Sequence, residues 1–254
     1  MLILKIWMRM TILTKTIHSK IAIIITAAGS STRIGGGLKK EYLPYKNGTV
    51  LSICAETFLN ACSSLYEITD FIITCPKGGI EDCRKALCGL TEKSPLEIKI
   101  TEGSDTRQKS VYKGLCAVSG TPDIVLIHDG ARPFVSDRII NEGIKAACEF
   151  GASVPGITPI DTQKEIDAEG FIVRHLVRNR LSAVQTPQCF EFNKLLEAHA
   201  RAAKDAYEYT DDTEIWGAYC GRVRIIPGDV NNIKITYPAD LELLKKVQDD
   251  RGHL

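Results

Sequence analysis

Four short segments carry side chains whose types and spacing suit a phosphate ester. The first runs Ala27-Ala28-Gly29-Ser30-Ser31-Thr32-Arg33-Ile34-Gly35-Gly36-Gly37-Leu38-Lys39-Lys40, directly after an apolar, β-branched stretch. Small residues let backbone N–H groups approach an anion closely, and Arg33 and Lys40 add side-chain cations. No Ser or Thr follows a Gly-Lys, and no G-x-G-x-x-G occurs, so neither common phosphate-loop fingerprint applies. A glycine turn with solvated charges is the plainer alternative.

The second segment, Val125-Leu126-Ile127-His128-Asp129-Gly130-Ala131-Arg132-Pro133, ends an apolar run on a carboxylate. Asp129 is a hard-oxygen ligand of the kind that holds Mg²⁺ together with substrate phosphates. Arg132 can fork onto a phosphate or carboxylate. Asp129 as a helix N-cap, paired with Arg132, would look the same in sequence. In the third, Gly103-Ser104-Asp105-Thr106-Arg107-Gln108-Lys109-Ser110, polar side chains could read a nucleobase edge or cap an ordinary helix. The fourth, Gly228-Asp229-Val230-Asn231-Asn232-Ile233-Lys234-Ile235-Thr236, sets a lone Lys234 in an apolar stretch. It calls for an anion, or else the lysine snorkels to water.

These segments need a scaffold that gathers them. Apolar runs of strand length alternate with amphipathic stretches of helix length. Strands are predicted over 21–26, 68–74, 96–100 and 123–128. Helices are predicted over 50–62, 80–87, 106–118 and 137–150, the third capped at Ser104 or Asp105. This alternation predicts an α/β fold, Rossmann-like, with a mostly parallel twisted sheet. Ligands in such sheets bind beyond the carboxyl ends of the strands, where the first three segments fall.

The rhythm breaks after Gly151. A strand is predicted over 154–158. The stretches 162–166 and 171–176 flank the polar turn 167–170 as a hairpin, read as a protruding β-arm at about 159–180. Another strand follows at 183–185. Helices are expected over 193–206 and 212–219, strands over 223–226 and 233–235, and a closing helix over 239–248.

Composition narrows the class. With 254 residues, 44% hydrophobic and 25% charged, the chain is an ordinary globular mix. Net charge is +1, which gives no push toward nucleic acid or an acidic membrane surface. Residues 1–20 hold Lys5, Arg9, Lys15 and Lys20 and no acid, leaving 28 basic against 31 acidic residues, a body of net −3. This leader is read as a poorly ordered start, with Met10 a plausible alternative initiator. Lys5 and Arg9 interrupt its apolar residues, unlike a secretory signal, and no run reaches the ~18–20 apolar residues of a membrane span. Nine cysteines without a C-x-x-C pair read as reduced thiols of a cytoplasmic protein rather than a zinc site.

Taken together and in order, the segments resemble the cytidylyltransferases of the non-mevalonate isoprenoid pathway, the family acting on 2-C-methyl-D-erythritol 4-phosphate. The resemblance covers about 21–244. It rests on A-A-G-x-x-x-R, G-x-D-x-R-x-x-S, H-D-x-A-R-P, D-T-x-K, V-x-R-N, T-P-Q, T-D-D and N-I-K-I-T. It implies one nucleotidyltransferase domain over 21–254 and a homodimer exchanging β-arms. It further implies the reaction of CTP with methylerythritol phosphate to give 4-diphosphocytidyl-2-C-methyl-D-erythritol and pyrophosphate, with Mg²⁺. By the same resemblance, Ala27, Ala28 and Gly29 cradle CTP, and Gly103, Asp105 and Ser110 read cytosine. Arg33, Lys40 and Lys234 stabilise phosphate charge. Asp129 holds the metal with Arg132 beside it, Thr162 and Arg178 of the arm hold the polyol phosphate in the partner's site, and Thr186 touches the polyol.

Three positions depart from the family pattern: Lys39 stands for a usual Pro, Ser104 for a common Gly and Gly130 for a common Ala. The first adds a charge that could partly mimic Lys40. A ribitol 5-phosphate cytidylyltransferase shares much of the pattern and is the nearest alternative. A non-catalytic nucleotide-binding module is the other, and it would bind CTP without releasing pyrophosphate.

Overall fold

The computed structural model describes residues 19–29, 39–62, 64–91, 96–237, 239, 240, 242 and 244. Residues 1–18 of the leader and Arg33 lie outside them. Strand β1 (Lys20–Thr26) leads into a 3₁₀ turn (Lys40–Tyr42), the small hairpin β2 (Pro44–Tyr45) and β3 (Gly48–Thr49), and helix α1 (Val50–Cys62). Then come β4 (Glu67–Cys75), α2 (Ile80–Ala86), β5 (Ile98–Glu102), α3 (Arg107–Cys116), β6 (Ile124–Asp129), α4 (Asp137–Phe150) and β7 (Ala152–Ile157). The arm strands β8 (Lys164–Ile166) and β9 (Ile172–His175), a 3₁₀ turn (Arg178–Arg180), β10 (Ala183–Val184) and β11 (Gln188–Glu191) follow. Helices α5 (Phe192–Ala202) and α6 (Asp212–Tyr219) and strand β12 (Arg224–Pro227) complete the described elements.

The central sheet has the order β10-β7-β11-β6-β1-β4-β5, with β12 on β7. Strands β6, β1, β4 and β5 run parallel. The run Ile21 to Ile25 in β1 is buried on both faces, as β-branched residues between two parallel neighbours should be. Its side chains alternate between layers. Ile21, Ile23 and Ile25 pack with Leu126 against α1 and α4, through Phe58 and Ile140. Ala22 and Ile24 pack with Ile127 against α3, α5 and α6, through Val111, Leu195 and Trp216. Each large apolar side chain among these contributes about 1.5–3 kcal/mol on full burial. Gly114 lets α3 lie close on β1, since a Cβ there would meet Ile24 Cγ2 at 2.8 Å.

The parallel strands bring Thr26, Cys75, Glu102 and Asp129 to one carboxyl edge, as the alternation predicts. Several details differ. Helix α3 is capped by Thr106, not by Ser104 or Asp105: its hydroxyl accepts from the Lys109 N–H at 3.2 Å. Residues 233–235 form no strand and are tied instead by the Ile235 N–H to the Ala131 carbonyl at 2.9 Å. Helix α5 stops at Ala202 rather than 206. Of the closing helix at 239–248, only 239, 240, 242 and 244 are described, and they are helical.

Strand β11 has no counterpart in the expectations. It runs antiparallel between β6 and β7, buried at both Gln188 and Cys189. A four-residue strand beginning on Gln shows neither alternation nor an apolar run. The arm forms as expected: β8 and β9 pair in their own two-stranded sheet, exposed throughout. Its turn closes with Gly170 at φ 90 and the Phe171 N–H donating to Asp167 Oδ1 at 2.8 Å.

Candidate functional site

A cavity of about 410 Å³ opens at the carboxyl edge of the parallel strands. Loop geometry brings distant segments to it. Ala28 and Gly29 follow β1, Asp105 and Ser110 bracket the start of α3, Asp129 ends β6, and Lys40 and Lys234 come from the flanking loops. All seven line the cavity.

Asp129 is the electrostatic centre. Its Oδ2 lies 2.8 Å from Lys234 Nζ and 3.4 Å from Arg132 Nε, and its Oδ1 lies 3.9 Å from Arg107 Nε. Burial opposes ionisation, but Lys234, then Arg107 and Arg132, hold the carboxyl well below the usual carboxylate range. Lys234 is therefore not a snorkelling surface lysine, and Asp129 does not cap a helix: the chain turns after it, with the Arg132 N–H on the Asp129 carbonyl at 3.0 Å.

The other expected residues take supporting positions. Ala27 is fully buried, its N–H donating to the Thr74 carbonyl at 2.8 Å. Gly103 packs behind the cavity wall, where a Cβ would come within 2.5 Å of the Ala28 Cβ. Ser104, beside it, faces the cavity instead. The Ser110 hydroxyl accepts from the Ser104 N–H at 2.9 Å and donates to the Thr106 carbonyl at 2.8 Å, so it shapes the turn carrying Asp105. Arg132 turns partly away, donating from Nη1 to the Asn232 carbonyl at 2.8 Å. That bond anchors the segment that carries Lys234. The departure at Gly130 is a close fit, since a Cβ would meet Leu51 Cδ1 at 3.0 Å and the Thr26 carbonyl at 3.2 Å.

Thr186, expected as a polyol contact, is buried and committed within the chain. Its hydroxyl accepts the Asp129 N–H at 3.1 Å and lies 2.9 Å from His128 Nδ1. Burial brings the His128 pKa down to about 4, so the ring is neutral. Its Nε2 faces the Arg132 carbonyl at 3.1 Å and must donate, which leaves Nδ1 to accept from Thr186. This relay fixes the backbone on both sides of Asp129. Thr162 and Arg178 lie on the arm, exposed, with Arg178 Nη1 on the Ile160 carbonyl at 2.9 Å. Neither lines the cavity. Lys39 does not join Lys40 in the cavity; its amine donates to the Ala27 carbonyl at 3.1 Å and to the Gly29 carbonyl.

Arg107 lines the cavity and is absent from the expected site. Besides Asp129 it pairs with Asp212, Nη1 to Oδ2 at 2.7 Å, and Asp212 Oδ1 meets His199 Nε2 at 3.0 Å. Burial opposes ionisation of Asp212 too, and Arg107 and His199 outweigh it. A basic residue in the first turn of a helix opposes the helix dipole. Arg107 opens α3, so the sequence does hold a signal that carboxylates await it.

Among the described residues no three His, Cys, Asp or Glu side chains cluster as a metal site. Asp129 nevertheless fits Mg²⁺, which commonly takes one carboxylate and completes its shell with substrate phosphates and water. The carboxylate is ionised, and its Oδ1 makes the longer contacts, to Arg107 and to Thr26 Oγ1 at 3.5 Å.

Three comparisons bear on this arrangement. The family model for 2-C-methyl-D-erythritol 4-phosphate cytidylyltransferase matches residues 21–247. The enzyme of that name from Clostridium novyi is 40% identical over 234 residues, spanning 91% of this chain and 98% of the relative. The one from Clostridium botulinum strain Eklund 17B is 38% identical over 222 residues, 87% of this chain and 96% of that one. Among solved structures, 4-diphosphocytidyl-2C-methyl-D-erythritol synthase from Anaerococcus prevotii superposes with a TM-score of 0.79 at 28% identity. It covers 94% of this chain and 99% of its own. The Thermus thermophilus cytidylyltransferase gives 0.70 at 30% identity, with 91% and 99% covered.

Proposed function

The chain belongs to the 2-C-methyl-D-erythritol 4-phosphate cytidylyltransferase family, and from that premise we propose how its own residues serve the family's reaction. The protein is an enzyme that joins CTP to 2-C-methyl-D-erythritol 4-phosphate, giving 4-diphosphocytidyl-2-C-methyl-D-erythritol and pyrophosphate in isoprenoid precursor synthesis. The observation that carries the site assignment is the convergence of Lys40, Arg107 and Lys234 on one cavity around an ionised Asp129.

An oxygen of the substrate's phosphate attacks the α-phosphorus of CTP. The new P–O bond forms as the bond to the β-phosphate's bridging oxygen breaks, and pyrophosphate leaves with that electron pair. The attacking phosphate is already anionic, so no side chain has to act as nucleophile or take a proton from it. The protein's task is alignment and neutralisation of charge on the non-bridging oxygens.

The glycine loop, with Ala28 and Gly29 at the cavity, receives the triphosphate. Lys40 and Lys234, with Arg33, neutralise it. Ser104 and Asp105 face the cytosine, on a turn shaped by Gly103 and Ser110. Asp129 would hold Mg²⁺, which when bound supplies Lewis-acid neutralisation of the phosphate oxygens. Arg132 and Thr186 keep Asp129 and the Lys234 segment in register.

Thr162 and Arg178 act from the arm in the site of a second copy. The exposed Ile160, Phe171 and Ile172 support that reading, because an arm this apolar suits a protein partner. One domain over 21–254 carries the whole arrangement. The free thiols of all nine cysteines support a reducing, cytoplasmic location, and no described helix is long and apolar enough to cross a membrane.

Pyrophosphate release from CTP tests the assignment. Release with methylerythritol phosphate and little with ribitol 5-phosphate is expected; the reverse preference would assign the alternative substrate. Lys40→Ala should lower turnover about 10²–10³-fold with an unchanged circular dichroism spectrum, and near-normal turnover overturns its role. Light scattering should find a dimer.

A further inference from the structure

Lys39 and Lys40 are neighbours in the chain and reach different partners. Lys40 lines the cavity. Lys39 does not, and its amine gathers the carbonyls of Ala27 and Gly29. In a planar trans peptide the N–H of one residue points opposite to the carbonyl of the residue before it. The Ala27–Ala28 peptide is not among the cis bonds. With its carbonyl turned to Lys39, its N–H, belonging to Ala28, is turned to the other side. Ala28 is a cavity residue.

A cradle of amides binds an anion only while its N–H groups face inward, and a free loop can turn a peptide over. We propose that Lys39 is a positioning residue, whose ammonium holds the Ala27 and Gly29 carbonyls away from the cavity so that the Ala28 N–H presents to the CTP triphosphate. This deepens the reading of the cavity as the CTP site and rests on it. The lysine touches no substrate. It fixes the Ala27–Ala28 peptide before the ligand arrives, and charge-assisted bonds to carbonyl oxygens are the stronger kind for that purpose. Methionine at this position would keep the length of the side chain and lose the donors.

The test is CTP titration calorimetry together with steady-state kinetics on the full chain, comparing wild type, Lys39→Met and Lys39→Arg. Lys39→Met is expected to raise both Kd and KM for CTP roughly tenfold, far more than it lowers kcat or raises KM for the polyol phosphate. Lys39→Arg, which restores a charged donor, should recover most of the loss. CTP affinity in Lys39→Met equal to wild type overturns the proposal. So does a loss spread evenly over kcat and both KM values, or an arginine variant as weak as the methionine one. If Lys39→Met does not fold, Lys39→Leu, which also lacks donors, is read by the same split. A wild-type protein that binds no CTP would overturn the cavity assignment itself, whereas tight wild-type binding with an unaffected Lys39→Met overturns only the role of Lys39.

Discussion

Two buried aspartates sit on the strands flanking β1, opposite Ala22 and Thr26 toward its two ends, and are satisfied in different ways. Asp70, in β4, receives backbone N–H groups from Ser119 and Gly120 at 2.9 and 3.0 Å, the Ser119 hydroxyl at 3.0 Å and Lys99 Nζ at 2.9 Å. The Asp129 carboxylate, at the end of β6, is surrounded instead by three cations, while its own backbone N–H donates away, to Thr186. Backbone donors cannot leave, so Asp70 is closed off by the fold. Long cationic side chains can be shared with an incoming anion, so Asp129 is the centre of a site that a ligand can rearrange. Both carboxyls are held below their ordinary pKa. The identity of the partners, rather than the burial or the shift, separates scaffold from site.

Substitution should separate them further. The largest effect is expected from Asp129→Asn, which takes the counter-charge from Lys234 and Arg132, leaves Arg107 only Asp212, and removes the carboxylate proposed to hold Mg²⁺. Turnover should fall about 10²–10³-fold, and the unfolding midpoint should fall with it, because buried cations lose their counter-charge; intact turnover would reverse the assignments. Asp70→Asn should lower stability alone. It weakens a fully buried acceptor and costs about 1–3 kcal/mol, read as a midpoint lowered by several degrees, with kcat within a factor of about two of wild type.

Acid titration gives a third, intermediate effect. His128 has its pKa brought down by burial, from 6.5 to about 4, so the unfolded chain binds a proton there that the folded chain does not. Stability should therefore fall as pH drops from 6.5 toward 4. Asp70 acts later: its depressed pKa gives stability that is present above 3.8 and lost only as pH falls through the lower folded value. Chemical denaturation from pH 7 to 3 should show both limbs in wild type, and Asp70→Asn should make only the more acidic one shallower, the rest of that limb belonging to Asp129 and Asp212, whose carboxyls are also depressed. The smallest effect belongs to Lys99→Met. Its side chain is a third exposed, so its loss should cost under about 1 kcal/mol and leave CTP affinity unchanged.

The parallel half of the sheet and the Asp129 end of β6 are legible in the sequence, because an apolar run that stops on a carboxylate has few readings. The arm is legible for the converse reason, a polar turn between two short alternating stretches. Arg107 shows only as a base in the first turn of α3, which does not say which carboxylates meet it, and Asp212 shows not at all, since the pairing joins elements far apart in the chain. Lys234 meets an anion of the chain itself, the Asp129 carboxylate, from a loop and not from the expected strand, and the loop is held through Arg132 and the Asn232 carbonyl. Thr186 sits in a recognisable motif, yet nothing in its spacing reveals that its hydroxyl is spent between Asp129 and His128. Strand β11 is hidden by its brevity and by a buried Gln188.

The three cations around Asp129 come from the first turn of α3, from the turn just after β6 and from the loop holding Lys234. During synthesis the carboxylate is therefore made long before its strongest partner, and a chain still lacking that last loop would carry Asp129 without Lys234. Activity should appear late and all at once as the protein is translated, and a nascent chain released short of Lys234 should fail to turn over CTP even where the sheet has already formed.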